Sequence, residues 1–321
     1  MSNHTNTQLP KIALGTWSWG TGFAGGDQVF GNHLTAEQMK TVFDAAMKAG
    51  LNLWDTAAVY GMGSSETALG ELVKDVPRDA IFLSTKFTPQ IAKNSAEPVA
   101  DMLAESLQRL HTDYLDFYWI HNPTAFNQWT LQLIPLLKSG KVKRVGVSNH
   151  NLAQIKEINR VLTQEGYGLS AVQNHYSLLY RSSEDAGILD YCKANGISFF
   201  AYMVLEQGAL SGKYNPQNPL PEGSGRAQTY NGVLAQLQTL TKAMAEIGKT
   251  KNASTAQIAI AWAIAKGTLP IIGATKPHHV EDAAAASKIH LSTEEIERLE
   301  TLAKEAGVDT RGSWEASMTE G

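Results

Sequence analysis

Eight short apolar runs, each followed by a helical pattern, recur along these 321 residues at a period of about 35, the signature of a parallel sheet covered by helices. The runs cover 12–17, 51–57, 81–86, 115–121, 144–149, 171–176, 198–203 and 269–274. Helical spacing follows over 35–49, 65–73, 96–110, 128–139, 152–164, 185–195, 233–247, 255–266 and 278–286, with a terminal helix over 292–304. Thr35 with Gln38 three residues on forms a capping box, and Gly50 stops that helix. Runs such as Phe199-Phe200-Ala201 and Ile271-Ile272 are apolar at consecutive positions, as burial on both faces requires. Eight units without a composition break favour a closed (β/α)8 barrel, an α/β fold of TIM-barrel type with extra C-terminal helices. It forms one domain over 1–321, not two doubly wound sheets. The stretch 214–232 is too long for a plain connection and reads as a candidate lid loop.

Polar residues leave these runs at their C-terminal ends. Asp55 and Tyr60 stand in Asn52-Leu-Trp-Asp-Thr-Ala-Ala-Val-Tyr-Gly61, Lys86 ends Ile81-Phe-Leu-Ser-Thr-Lys86, and His121 ends Leu115-Asp-Phe-Tyr-Trp-Ile-His121. In a parallel barrel these ends meet at one mouth, so an acid, a phenol, an amine and an imidazole converge. A tyrosine with a pKa near 10 is a poor acid at neutral pH, and a neighbouring cation lowers that pKa. Lys86 is the candidate cation, Asp55 its anchor, and His121 a donor toward a carbonyl oxygen. Each residue alone has a plainer reading: Asp55 as a loop cap, Lys86 as a solvated loop residue, Tyr60 as a turn aromatic and His121 as a packed imidazole. Their joint placement favours chemistry.

Gly20-Thr-Gly-Phe-Ala-Gly25 matches a dinucleotide fingerprint, but helix signals begin only at Thr35 and Asp55 opens a loop, so a mobile glycine-rich loop is the better reading. A net charge of −4 argues against a nucleic-acid partner, and the basic cluster Lys138, Lys141, Lys143 and Arg144 reads as a solvated turn. The single Cys192, among apolar neighbours, reads as a packed thiol in a reducing compartment. Neither a signal peptide nor a membrane span is expected, which places the protein in the cytoplasm. The nine histidines show no ligand spacing beyond His278-His279, so no metal is expected. Trp19, Phe23, Trp54, Phe126, Trp129 and Tyr230 are candidate pocket aromatics, with Trp54 and Trp119, inside strands, better read as structural.

At Asp55-Thr-Ala-Ala-Val-Tyr60, Ser84-Thr-Lys86, Ile120-His121-Asn-Pro123 and Gly146-Val-Ser-Asn149 the chain resembles the aldo-keto reductases, a superfamily that also holds the potassium-channel β subunits. The resemblance runs from Leu9 to about Lys304 and includes Gly15-Thr16-Trp17, Gln173-Asn174, Ala201-Tyr202, Gly208-Ala-Leu-Ser-Gly-Lys-Tyr214 and Ile272-Gly-Ala-Thr-Lys276. It implies reduction of a small-molecule aldehyde or ketone by NADPH, with NADH at lower affinity. Tyr60 is then the acid, Lys86 and Asp55 its tuning pair, and His121 the polariser. It further implies that Ser148, Asn149 and Gln173 hold the nicotinamide carboxamide while Tyr202 stacks on its ring. Ser211 and Lys213 meet the pyrophosphate, with Leu205 and Gln207 along its path. Thr275 and Lys276 take the 2′-phosphate, and Arg226 adds a second charge. Thr16, Trp17, Asp55 and Gly273 complete the implied cofactor surface. His279, where the family often carries Arg or Gln, and Asp282, for a usual Glu, are departures at the adenine end, as are Ala283 and Met203-Val204. The alternative is a cofactor-sensing regulatory subunit on the same barrel. A ten-residue leader is short for an effector segment, which favours the enzyme.

Overall fold

Each apolar run pairs with the next, and the last returns to the first. In a computed structural model that describes residues 9–312 together with Glu315 and Met318, eight parallel strands close a barrel in sequence order. They are β1 (Ala13–Gly15), β2 (Leu53–Asp55), β3 (Phe82–Phe87), β4 (Leu115–Ile120), β5 (Val142–Ser148), β6 (Ala171–His175), β7 (Ser198–Tyr202) and β8 (Leu269–Gly273). Closure is made by Ala13, Leu14 and Gly15 pairing with Ile271, Ile272 and Gly273. None of these eight strands is left with an open edge, as a closed barrel requires.

Strand alternation then sorts the side chains into two cores. Ala13, Leu53, Phe82, Phe117, Trp119, Ala171 and Phe200 fill the barrel interior. Their neighbours Leu14, Trp54, Leu83, Tyr118, Val145, Val147, Val172, Phe199 and Ala201 face outward against the helices. With a period of two, the residue two places beyond each interior residue faces the same lumen, one layer nearer the C-terminal rim. Those positions are Asp55 after Leu53, Ser84 and Lys86 after Phe82, His121 after Trp119, Gln173 after Ala171 and Tyr202 after Phe200. An apolar plug therefore lies beneath a polar rim.

Local signals set most helix limits. Capping boxes at Thr35, Asn151, Ser254 and Ser292 start the helices Ala36–Lys48, Leu152–Gln164, Thr255–Ala265 and Thr293–Ala306. One helix departs from its sequence pattern. The stretch expected to be continuous over 185–195 is two short helices, Ser182–Asp185 and Ile188–Ala194, because Gly187 between them takes a φ of 78°. The first strand is also shorter than its apolar run, since Trp17–Trp19 turns into a 3-10 helix. The stretch 214–232 is not bare loop: it carries the helix Gly225–Tyr230, and Leu220, Ala227 and Tyr230 form a small core with Ala209, Leu234 and Leu237. Cys192 is buried, and burial pushes its thiol up to about 12, as suits a packed side chain. Among the described residues no helix is long and apolar enough to cross a membrane.

Gly146 on β5 shows how tightly the plug fits. A Cβ there would lie 2.2 Å from Cε3 of Trp119, whose ring crosses the strand. Gly146→Ala should destabilise the protein by about 1–3 kcal/mol, the usual range for overpacking a dense core. The check is a shift of the urea midpoint to lower concentration at an unchanged slope. A midpoint equal to wild type would show that Trp119 moves aside freely.

Candidate active site

Asp55, Lys86, Tyr60 and His121 meet at the C-terminal rim. Lys86 on β3 and Asp55 at the end of β2 are both buried, and Lys86 Nζ donates to Asp55 Oδ2 at 2.5 Å. The other carboxylate oxygen, Oδ1, accepts from Ser84 Oγ at 2.7 Å and from Gln173 Nε2 at 3.3 Å. Ser84 in turn accepts from Trp119 Nε1 at 2.6 Å, which ties the ion pair to the apolar plug. Lys86 also donates to the Thr56 carbonyl at 2.8 Å and to the Tyr60 hydroxyl at 3.4 Å.

Tyr60 opens the turn Tyr60–Gly63 after β2, with its ring stacked on Trp17 at 5.4 Å and edge-on to His121 at 5.8 Å. Beneath this turn Thr16 is buried, its hydroxyl bonded to Ser65 Oγ at 2.9 Å. Trp17 is fixed by its indole N–H donating to the Ala24 carbonyl at 2.8 Å. His121 hydrogen bonds through Nδ1 to Thr88 Oγ1 at 2.8 Å, which leaves Nε2 as its other nitrogen.

The electrostatics correct one expectation. Burial raises the Tyr60 pKa, Lys86 lowers it and Asp55 raises it, and the net direction is upward. The sequence argument, a cation that lowers this pKa, names a real term that desolvation outweighs. Tyr60 is thus a protonated phenol at neutral pH. Burial opposes the Lys86 ammonium, but Asp55 and Tyr60 more than offset it and its pKa is raised. Burial, and then the Lys86 charge, hold His121 well below the usual imidazole range, so it is neutral. One buried cation therefore sits among a carboxylate, a protonated phenol and a neutral imidazole.

Next to this group stand the ends of β5, β6 and β7. Asn149 donates to the His121 carbonyl at 3.0 Å and to Ser148 Oγ at 3.3 Å, and its Oδ1 accepts from the Tyr202 hydroxyl at 2.6 Å. Ser148, Asn149, Gln173 and Tyr202 thus form one patch bonded to the first group. Leu205 and Gln207 lie in and beside the turn Glu206–Ser211, whose Ser211 hydroxyl donates to the Gly208 carbonyl at 2.6 Å. Arg226 donates to the Gln207 carbonyl at 3.4 Å, and its buried Nε has no hydrogen-bond partner. The Lys213 ammonium and the Arg226 guanidinium both lie over the Tyr214 ring.

Beyond Gly273, the exposed end of β8, Lys276 caps the helix Pro277–Ala286. The Thr275 N–H donates to His279 Nδ1 at 3.3 Å. Burial lowers the His279 pKa to about 4, helped by His278, Lys276 and Lys213. Asp282 is engaged elsewhere, its Oδ1 accepting from Gln257 at 3.2 Å.

Two candidate pocket aromatics are withdrawn into the fold. Trp19 is buried and donates to the Ala274 carbonyl at 2.9 Å. Tyr230 is buried and donates to Glu206 Oε2 at 2.6 Å. Trp54 stacks on Phe43 at 5.0 Å in the outer core, and Trp129 packs edge-on to Phe87 at 5.1 Å. Phe126 meets the edge of His150 at 6.0 Å, while Phe23 is exposed. Sequence reasoning missed Ser84 and Thr88 as site residues, although each lies two residues from Lys86, Ser84 within β3 and Thr88 just past its end. It also missed His175, Glu206 and Glu315, for which no local pattern exists. Among the described residues no group of three or more His, Cys, Asp or Glu side chains could hold a metal ion.

The sequence model of the aldo/keto reductase family matches residues 11–304. The chain is 32% identical to a chloroplastic pyridoxal reductase of Arabidopsis thaliana, over 93% of this chain and 84% of that one. It is 30% identical to an NADH-specific methylglyoxal reductase of Escherichia coli (strain K12), over 94% and 96%. Among solved structures it resembles an aldo-keto reductase from Klebsiella pneumoniae in complex with NADPH, with a TM-score of 0.72 and 28% identity over 92% of this chain and 91% of that chain.

The buried ion pair makes a testable demand on stability. Lys86→Met leaves the Asp55 carboxylate buried without its cation, and breaking such a pair costs about 3–5 kcal/mol. Adding Asp55→Asn removes the stranded charge, so the double variant should regain at least about half of that loss. Chemical denaturation of both variants checks it. A double variant less stable than Lys86→Met would mean that the carboxylate serves the fold through Ser84 and Gln173 instead.

Proposed function

Because the chain belongs to the aldo/keto reductase family, as an oxidoreductase that uses a nicotinamide cofactor, we propose that it reduces aldehydes or ketones to alcohols with NADPH preferred and Tyr60 as proton donor. The observation that carries this reading is the Tyr60 hydroxyl, 3.4 Å from a lysine whose charge Asp55 holds at 2.5 Å.

The donor set fits the cofactor. Arg226 presents a buried N–H without a partner, and Thr275 and Lys276 stand at the start of a ten-residue helix, where backbone N–H groups favour anions. Tyr202 offers a ring face for the nicotinamide, and Ser148, Asn149 and Gln173 offer the hydroxyl and amides for its carboxamide. Leu205, Gln207, Ser211 and Lys213 lie along the path between these ends, and Trp17 and Gly273 flank it. Segment 214–232, which brings Arg226, serves as the cover over the phosphates. When bound, the cofactor supplies the hydride to the carbonyl carbon.

The chain's own residues handle the oxygen. Tyr60 enters the reaction protonated, because its pKa is raised. As charge develops on the substrate oxygen, Tyr60 gives up its proton, and the phenolate left behind is stabilised by the Lys86 ammonium. Asp55 keeps that ammonium charged and in place. In the tautomer whose Nδ1 accepts from the Thr88 hydroxyl, neutral His121 keeps its proton on Nε2 and offers it as a hydrogen bond to the same oxygen, while the transferred proton comes from Tyr60 alone.

Two relatives are named for aldehydes, pyridoxal and methylglyoxal, so small aldehydes head the substrate panel. The single buried thiol Cys192 suits a reducing compartment, and we place the protein in the cytoplasm. With this panel, Tyr60→Phe should lose about a hundredfold or more of kcat while NADPH affinity stays nearly intact. Normal turnover in the variant would remove Tyr60 from the acid role. Absence of any turnover in wild type would favour a cofactor sensor.

Cofactor choice gives a second test. Lys276→Ala should weaken NADPH binding by about ten- to a hundredfold, since a charge-assisted contact is worth about 1.5–3 kcal/mol, and leave NADH nearly unaffected. His279 gains its proton only as pH falls through about 4, so it adds no charge near neutrality. The NADPH preference should therefore be modest and level from roughly pH 6 to 8. Kd values for both cofactors decide it. Equal losses for both would mean that the phosphate site is elsewhere, and so would a wild-type preference for NADH.

A further inference from the structure

Behind Tyr202 lies a buried ionic cluster that the proposed chemistry does not use. His175, at the end of β6, is fully buried and bonds through Nε2 to Glu206 Oε1 and through Nδ1 to Glu315 Oε1, each at 2.9 Å. Burial lowers the His175 pKa, but the Glu206 and Glu315 carboxylates outweigh it and raise it to about 9. Its ring is therefore an imidazolium between two carboxylates. Glu206 is further satisfied by Tyr230, by Thr310 Oγ1 at 3.0 Å and by the Ser177 hydroxyl. Three flat rings are layered here: Tyr180 lies 4.3 Å from His175 at 23°, and Tyr202 lies 5.6 Å from it at 25°.

Glu315 does more than neutralise His175. The same Oε1 lies 3.0 Å from the Tyr202 hydroxyl, which also donates to Asn149 Oδ1 at 2.6 Å. A phenol has one proton, so the two acceptors share it. If Asn149 turns its amide toward a carboxamide, that proton is free to settle on Glu315. We infer that Glu315, held by His175, is a positioning residue that fixes the Tyr202 ring for the nicotinamide. The inference rests on Tyr202 being the stacking residue. It gives the far C-terminal segment a role in cofactor binding through one carboxylate. Backbone geometry agrees: Met203, Glu206 and Gln207, just beyond Tyr202, all have positive φ, strain that persists only where surrounding contacts hold it.

The test is a double-mutant cycle on NADPH affinity in the full chain. Glu315→Ala should raise Kd about tenfold, the value of one hydrogen bond to a charged group. Glu315→Gln keeps an acceptor for the hydroxyl and should return Kd to within about threefold of wild type. In a Tyr202→Phe background, where no hydroxyl remains to be held, Glu315→Ala should add less than about threefold. A merely structural Glu315 would cost the same in both backgrounds, and that result overturns the inference. Tyr202→Phe alone should weaken NADPH by several-fold although its ring face is kept. Affinity equal to wild type there overturns the inference even where Glu315→Ala does not fold. Tyr202→Ala separates the two ideas. If it leaves NADPH binding unchanged, the stacking assignment has failed. If it weakens binding while Glu315→Ala does not, only the role of Glu315 has failed.

Discussion

The closure of β8 onto β1 decides where everything else can stand. Gly15 pairs with Asp55 on one side and with Gly273 on the other, so the ring is completed at the level of the polar rim. Because all eight strands are parallel, every C-terminal end faces the same way. Because side chains alternate, the position two residues past each interior residue points into the same lumen. A single slip of register would exchange the inner and outer sets and turn Lys86 toward the helices. Packing guards against that slip: Trp119 lies across Gly146, and its indole N–H holds Ser84, which holds Asp55.

On that frame, one buried ammonium organises the chemistry of the mouth. Lys86 draws Asp55 to it, faces the Tyr60 hydroxyl and adds its repulsion to the burial that keeps His121 neutral. Isolated, such a charge in the interior would be costly, and Asp55 offsets that cost. A hydrophobic pair of similar volume would fill the space with less electrostatic expense. An ion pair placed next to a phenol thus suits the proposed proton transfer better than it suits stability. The raised Tyr60 pKa fits the same picture, since reduction needs the proton in place before the oxygen becomes basic.

The rim beyond β5 and β7 is built differently, from strained backbone and long-range polar contacts. Asn149, Met203, Glu206 and Gln207 have positive φ just beyond β5 and β7. Tyr202 stands between Asn149 on one strand end and Glu315 from the C-terminal segment, with His175 against its ring. Distant parts of the chain thus converge on one aromatic ring.

The sequence by itself determined the barrel and the identity of the four mouth residues. Both depend on short-period patterns repeated eight times, and chain closure turns eight weak local signals into one consistent answer. It also marked Cys192 as packed and Trp54 and Trp119 as structural, because an aromatic or thiol inside an apolar run has few other places to go. Only the tertiary structure decided the sign of the Tyr60 shift, since burial is a property of the assembled mouth and outweighs the neighbouring cation. It decided that 214–232 folds onto its own small core and that Trp19 and Tyr230 turn inward. It alone joined His175 to Glu315, 140 residues away, because a hydrogen bond between distant side chains leaves no periodic trace in the sequence.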